Sequence, residues 1–479
     1  MSTVPPAIAN AYDPERFRAD GHRLIDAIAE QLASWHAREG QALPWRDPTD
    51  ARATWAAESL SGGELVADLA RIMRASTALA NPRCMAHQVP PPLPGAVLAE
   101  MVSALLNNGM AVYEMGPAAV PIELAVIEWM CRKLEMAPGA GGVLTSGGSL
   151  GNLTALLAMR QACAGFDVWG QGSHAGPPLA VIASDEAHYS VARTLRVMGW
   201  GDAGAIGAKV YAHHRLTAAT VEHALLAARE RGQRVIGIVA AAGSTATGSF
   251  DPLDELADLA ERQQLWLHVD AAHGGGACVS ASQRHKLRGI ERADSIVWDA
   301  HKLLMMPALV TAVLFRKTSH AYEAFAQQAS YLFAASHPSE RWWDLGTRTL
   351  ECTKRMMAIE MWTALRSHGE AWFGEVVDRQ HALAVELAAN ISAASDFELA
   401  IAPESNIVCY RHRPVGVEGA ALDGHNRALR ERAVKDGTYY IVGAQLPAGY
   451  YLRSTLMNPL IETSDLDGLI SHLRTLCRE

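Results

Sequence analysis

The sequence predicts an α/β fold: a large domain on a mostly parallel β-sheet, with an N-terminal helical segment before it and a small C-terminal α+β domain after it. Three observations predict this. From about residue 140, short apolar runs alternate with helical patterns, which implies right-handed β-α-β crossovers and helices on both sheet faces. Before that point the chain reads as helical, apart from one proline-rich loop. Beyond about residue 370 a long helix leads into strand-like runs surrounding one further helix. The expected divisions are residues 1–80, 81–370 and 371–479.

The first element, "YDPERFRADGHRLIDAIAEQLASWHAR", has a clear start: Asp13 can cap it, Pro14 suits its first position and Glu15 favours the positive end of the dipole. Phe17, Leu24, Ile28, Leu32 and Trp35 recur at helical spacing and form an apolar stripe that needs a partner surface. "NPRCMAHQVPPPLP" (81–94) holds too much proline for a helix or central strand, so an extended, ordered loop is expected. "LAEMVSALLNN" and "IELAVIEWMCRKLEM" return to helical spacing. In the large domain the expected strands are "GGVLTS", "LAVIAS", "RVIGIVAAA", "LWLHVD", "SIVWD" and "ALVTAVLFR", with helices at "GNLTALLAMRQA", "YSVARTLRVM" and "DPLDELADLAERQQ". The last domain offers "FELAIA", "NIVCYRHR", "TYYIVG" and "YYLRSTLMN" around the helical "ALDGHNRALRERAVKD".

Composition bounds the function. A chain of 479 residues with 19% charged and 49% hydrophobic residues is an ordinary globular balance, long enough for a large core. The net charge of -9 argues against a nucleic-acid partner, because neutralising phosphates takes clustered Lys and Arg. The longest apolar stretch, Leu303 to Phe315, is too short to span a bilayer and contains Pro307, so no membrane partner is expected. The start of the chain shows no secretory signal pattern. Seven scattered cysteines without a C-x-x-C fit reduced thiols, and a cytoplasmic location with no metal site is the expectation.

Ligands of parallel α/β sheets bind beyond the carboxyl ends of the strands. Asp270 closes "LWLHVD"; Asp299, with His301 and Lys302, closes "SIVW"; the turn "TSGGSLG" closes "VL"; and His188 follows "LAVIAS". In the turn, Gly147, Gly148 and Ser149 lead into a helix whose free N–H groups suit an anion. The same turn matches G-x-S-x-G, the nucleophile-elbow spacing of serine hydrolases, with Ser149 as the nucleophile. A tight turn without a ligand is the third reading. Lys302 separates them. A lysine held in an apolar site is a competent nucleophile toward an aldehyde. An aldehyde cofactor with a phosphate accounts for the glycine turn, and pyridoxal phosphate further needs a carboxylate at its ring nitrogen, which Asp270 supplies. His268, Asp270 and His273 are close enough to suggest a metal, but no further ligand follows at a convincing spacing.

On "HVDAAHGGG…SIVWDAHK" the chain resembles the pyridoxal-phosphate-dependent group II amino-acid decarboxylases, over nearly its whole length. The resemblance implies a fold type I enzyme, a homodimer held partly through residues 1–80, and release of carbon dioxide from an L-amino acid to leave a primary amine. It implies Lys302 as the Schiff-base lysine, Asp270 at the pyridine nitrogen and His188 stacked on the ring. Gly147, Gly148, Ser149 and His301 match phosphate-site positions, Thr245 matches a threonine near the ring, and Asp299 stands where many relatives have asparagine. Tyr331 in "QASYLF" matches a loop tyrosine that returns a proton to Cα, whereas related aldehyde synthases carry phenylalanine there. Either Tyr331 or His188 is then the proton source. Another cofactor-dependent reaction, such as aldehyde synthesis or another lyase reaction, is the alternative within the family. His87 and Gln88 fall in the loop that lines the substrate side chain, so a polar or charged substrate, diaminobutyrate-like or acidic, is favoured over an aromatic one.

Overall fold

The computed structural model describes residues 4–58, 60–210, 212–325 and 341–478. They group into two compact units: Gln88–Ala388 with Ile401–Val408, and Met1–His87 with Ala389–Ala400 and Cys409–Glu479.

The first of these is built on a seven-stranded sheet. Its strands are β1 (Gly141–Thr145), β2 (Leu179–Ser184), β3 (Ala205–Ala208), β4 (Arg234–Ala241), β5 (Trp266–Asp270), β6 (Ser295–Asp299) and β7 (Thr311–Phe315), in the order β1-β7-β6-β5-β4-β2-β3. Strands β3, β2, β4, β5 and β6 pair in parallel. Only β7 is reversed, antiparallel to both β6 and β1. The carboxyl ends of β1, β2, β4, β5 and β6 therefore share one edge of the sheet. Six strands stand where the sequence predicts them. β3 is additional: "AIGA" is too short and too small to show a strand period.

Alternation along the strands sorts their side chains onto two buried faces. Ile296, Trp298, Leu267 and Leu314 pack with helices Ala119–Lys133, Ala218–Glu230 and Leu253–Gln263 on one side. Val297, Val313, Phe315 and Val181 pack with helices Gly148–Cys163 and Ser190–Val197 on the other. Each fully buried aliphatic or aromatic side chain of this kind contributes about 1.5–3 kcal/mol.

Strand β1 lies at the sheet edge, where unpaired backbone groups need partners. The Leu144 amide donates to Glu123 Oε1 at 2.9 Å, and the Leu144 carbonyl accepts from Lys354 Nζ at 2.6 Å. Glu123 and Lys354 also pair with each other, both of them almost wholly buried. An ion pair between two helix and loop side chains thus closes the edge of β1, just ahead of the glycine turn.

In the second unit, strands β8 (Phe397–Leu399), β9 (Ile407–His412), β10 (Val442–Leu446) and β11 (Gly449–Thr455) form a sheet in the order β10-β11-β9-β8, with helices Gly419–Asp436 and Thr463–Leu476. "TYYIVG" becomes strand only from Val442. Tyr440 instead pairs with the proline-rich loop: its amide donates to Arg83 O at 3.1 Å and its carbonyl accepts from the Met85 amide at 2.9 Å. Helix Pro14–His36 begins as predicted, the Asp13 carboxylate accepting from the Glu15 amide at 3.0 Å. Of its apolar stripe, Leu24, Ile28, Leu32 and Trp35 are half-buried and Phe17 is exposed. Among the described residues no helix is long and apolar enough to cross a membrane.

Removing one member of a buried pair leaves the other charge without compensation. Lys354→Met is expected to lower unfolding stability by about 3–5 kcal/mol, and the double substitution with Glu123→Leu to recover much of the loss. Urea unfolding of the two variants beside the parent chain measures both effects.

Candidate active site

The shared edge of strand ends opens into a cavity of about 180 Å³. Its wall includes Gly148, Ser149, His188, Thr245, Asp270, Asp299, His301 and Lys302, so eight of the residues singled out from sequence meet there. Gly147 stands just behind the wall as N-cap of helix Gly148–Cys163, with φ of 105°. That is a conformation glycine adopts without the cost an L side chain would bear. At Gly148 a Cβ would lie 3.2 and 3.3 Å from the two Asp299 carboxylate oxygens, a tight contact that glycine avoids.

Asp270, the last residue of β5, is held from two sides. Its Oδ2 accepts from Asn152 Nδ2 at 2.9 Å and its Oδ1 from the Ala272 amide at 3.1 Å. Asn152 in turn faces His268 Nε2 through its Oδ1 at 3.0 Å, and His268 Nδ1 meets Ser295 Oγ at 2.8 Å. Because Asn152 Oδ1 only accepts, His268 carries its proton on Nε2 and takes the Ser295 hydroxyl proton at Nδ1. Burial drives His268 down to about 4, with Asp270 opposing the shift, so the ring is neutral near pH 7. A second arm leaves Asn152 Nδ2 for Ser190 Oγ at 2.8 Å, and Ser190 Oγ reaches His188 Nδ1 at 2.7 Å. The Ser190 amide also donates to His188 Nδ1, at 3.3 Å, which places the His188 proton on Nε2. Burial holds His188 below the ordinary imidazole range, against the pull of Asp270.

Lys302 Nζ lies 3.0 Å from Asp299 Oδ2. Asp299 is itself buried and its Oδ1 accepts from Thr311 Oγ1 at 2.5 Å. The sequence reading expects this lysine in apolar surroundings. The apolar run does begin at Leu303, but Lys302 faces the strand-end carboxylate, because the turn after β6 directs it to the cavity and its successors to the core. His301 Nε2 stands 3.6 Å from Asp299 Oδ2, and its Nδ1 accepts from the Val310 amide at 3.1 Å.

The remaining expected residues fall elsewhere. His87 belongs to the other compact unit, where its Nε2 is 3.0 Å from the Tyr440 hydroxyl. Gln88 is half-buried, its Nε2 buried without a hydrogen-bond partner. Tyr331 lies outside the described residues. The possible metal triplet is spent on hydrogen bonds: both His268 nitrogens serve the Asp270 network, and His273 Nε2 contacts Asn406 Oδ1 at 2.7 Å. Sequence reasoning misses Asn152, Ser190 and Ser295. One signal for Asn152 exists, since asparagine is a poor helix-interior residue and here sits in the second turn of a helix, just ahead of its apolar run.

The donor set suits pyridoxal phosphate. The cavity presents free N–H groups at the start of a 16-residue helix, a cradle that a Cβ at Gly148 would fill, a primary amine and an oriented carboxylate. The model of the pyridoxal-dependent decarboxylase conserved domain matches residues 53–413. The chain belongs to the pyridoxal-dependent decarboxylases. Cysteine sulfinic acid decarboxylase of Mus musculus is 31% identical over 466 residues, 94% of each chain. The acidic amino acid decarboxylase of Homo sapiens is 30% identical over 396 residues, 80% of this chain and 75% of that one. Among solved structures, mouse CSAD in apo form superposes with a TM-score of 0.89 at 28% identity, covering 97% of this chain and 99% of that one. The decarboxylase is therefore a fold type I, pyridoxal-phosphate-dependent carboxy-lyase acting on an amino acid. The serine-hydrolase alternative falls with this. Ser149 is exposed at the helix start, and among the described residues no histidine is hydrogen-bonded to Asp270.

Two outcomes follow from the network. Asn152→Ala strands His268 Nε2–H and one oxygen of Asp270, and is expected to cost about 1–3 kcal/mol of unfolding stability per group left unsatisfied. The unfolded imidazole takes up its proton near 6.5 and the folded His268 only near 4, so between these values the unfolded chain binds more proton and stability falls as pH falls. That loss is on the order of 3 kcal/mol from this residue, and His268→Gln should flatten the slope of stability against pH in this window. Urea midpoints measured from pH 7 to 4 test both.

Proposed function

We propose that the decarboxylase acts on an L-amino acid with an acidic side chain, of the cysteine sulfinate or aspartate type. The observation that carries this is the pair of relatives above: both match most of their own length and both are decarboxylases of acidic or sulfinic amino acids. A diaminobutyrate-type substrate is the second reading, favoured by the likeness to the Vibrio parahaemolyticus structure described as the glutamate decarboxylase domain of diaminobutyrate-pyruvate transaminase and L-2,4-diaminobutyrate decarboxylase, with a TM-score of 0.83 at 26% identity.

In this proposal Lys302 carries the cofactor, and Asp270, aimed by Asn152, holds a proton on the ring nitrogen. Gly147, Gly148, Ser149 and His301 hold the phosphate, while Thr245 and His188 flank the ring. Bound pyridoxal phosphate supplies the electron sink that lets the bond from Cα to the carboxylate break. Asp299 would hold the Lys302 amine at the strand end. Tyr331 returns a proton to Cα, and His188, with its N–H on Nε2, is the other candidate for that transfer. We further propose a cytoplasmic homodimer in which residues 1–80 form a dimerisation segment, 81–370 the cofactor-binding domain and 371–479 the small domain. The exposed apolar residues Leu98, Met101, Val102 and Leu105 of helix Pro94–Leu106 support a self-associating surface.

Carbon dioxide release from a panel of acidic, diamino and aromatic amino acids decides the substrate. The expected result is turnover of cysteine sulfinate or aspartate; preference for an aromatic amino acid would sink the reading. Lys302→Ala should abolish turnover. Tyr331→Phe should lower amine formation by about 10²–10⁴-fold, with aldehyde, ammonia and hydrogen peroxide appearing instead at the expense of dissolved dioxygen, as gas chromatography and a peroxide assay would show.

A further inference from the structure

Outside the cavity, the unit that contains the four-stranded sheet brings together a different set of donor atoms. His412 ends β9, His425 lies on helix Gly419–Asp436, and Cys477 follows the last turn of helix Thr463–Leu476. His412 Nδ1 is 2.8 Å from His425 Nε2, and Cys477 Sγ is 3.5 Å from the first and 4.0 Å from the second. All three side chains are partly buried. None of them lines the cavity. A tetrahedral zinc ion, with Zn–N near 2.0–2.1 Å and Zn–S near 2.3 Å, spaces its ligand atoms at roughly 3.3 Å between nitrogens and 3.6 Å between nitrogen and sulfur. The two sulfur distances bracket that spacing, and the nitrogen pair has to open by only about half an ångström.

A second observation concerns the far side of His412. Its Nε2 lies 3.7 Å from Asp396 Oδ2, and Asp396 is gripped by Arg474 through Nε at 2.8 Å and Nη2 at 2.7 Å. Metal-ligating histidines characteristically turn their other nitrogen to a carboxylate, which fixes the tautomer that leaves the metal-facing lone pair bare. A surface histidine pair needs no such backing.

We propose that His412, His425 and Cys477 bind a divalent transition cation of the zinc class, with the fourth position open to water. Imidazole and thiolate ligands select zinc-like ions over magnesium or calcium. On binding, the His412 proton resides on Nε2 toward Asp396, and the Cys477 thiol gives its proton to solvent as the Zn–S bond forms. The ion ties β9 to helices Gly419–Asp436 and Thr463–Leu476 through ligands 13 and 52 positions apart along the chain, and so acts as a staple of that unit. The spacing matches no zinc motif, which is why the sequence reading expects no metal.

The test uses the full-length, tag-free holoenzyme, treated with chelator and freed of excess cofactor, and titrated with Zn²⁺ against a chromophoric chelator. One equivalent per chain at micromolar or tighter affinity is expected, weakened at least tenfold by His425→Gln or Cys477→Ser and about 10–100-fold by Asp396→Asn. Zn²⁺ should raise the melting temperature of the parent chain and leave the His425→Gln and Cys477→Ser variants unmoved. Should one variant fail to fold, the zinc K-edge X-ray absorption of the parent carries the test, with two nitrogen ligands and one sulfur expected. Absence of binding, a shell without sulfur, or equal affinity in the parent and both ligand variants would overturn the proposal.

Discussion

Asp270 terminates a buried strand, and a carboxylate there keeps one direction only if neighbouring elements fix it. Asn152 does this from the second turn of helix Gly148–Cys163, and it can do so because His268, from the same strand as Asp270, holds the other end of its amide. Ser295 on β6 then fixes the His268 tautomer. The chain of donors and acceptors has one consistent polarity, from the Ser295 hydroxyl to the Asp270 oxygen, so reversing any single group leaves a buried partner unmatched. The second arm through Ser190 sets the tautomer of His188. Two rings and one carboxylate at the site thus take their protonation geometry from one asparagine.

Sheet topology supplies the rest. With only β7 reversed, six strand ends share one edge, and residues that follow five of them are brought within reach of each other although they span Gly147 to Lys302 in sequence. Asp299 and Thr311 show how the reversed strand contributes: β7 begins where β6 ends, so Thr311 can steady the carboxylate that faces Lys302. The glycine turn closes the same edge, and Gly148 spares Asp299 a tight contact with a side chain. At the outer side of β1, the Glu123–Lys354 pair spares the edge strand from exposing its backbone groups.

The cluster in the other unit follows the same physical rule as the active site. A histidine is useful as a donor of lone pairs when its second nitrogen has a defined partner. His268 has Ser295, His188 has Ser190, and His412 has Asp396.

The fold class was legible in the sequence because strand and helix periods depend on neighbouring residues alone, and burial on both faces leaves the strands as plain apolar runs. So was most of the site, since Asp270, Asp299 and Lys302 follow directly on such runs and the glycine turn follows another. Strand β3 was not, for lack of enough residues to show a period, nor was the late start of β10, where Tyr440 is drawn into pairing with the distant 81–94 loop. Ser190 and Ser295 carry no local mark of their role, and Asn152 only that of an asparagine inside a helix, because their partners come from other strands and helices. The same holds for His412, His425 and Cys477. The sequence by itself determined which elements form and which groups stand at their ends. The tertiary structure alone decided which carboxylate meets Lys302, which tautomers the histidines hold and which thiol meets which imidazole, because hydrogen-bond and ligand geometry are fixed by contacts between residues far apart along the chain.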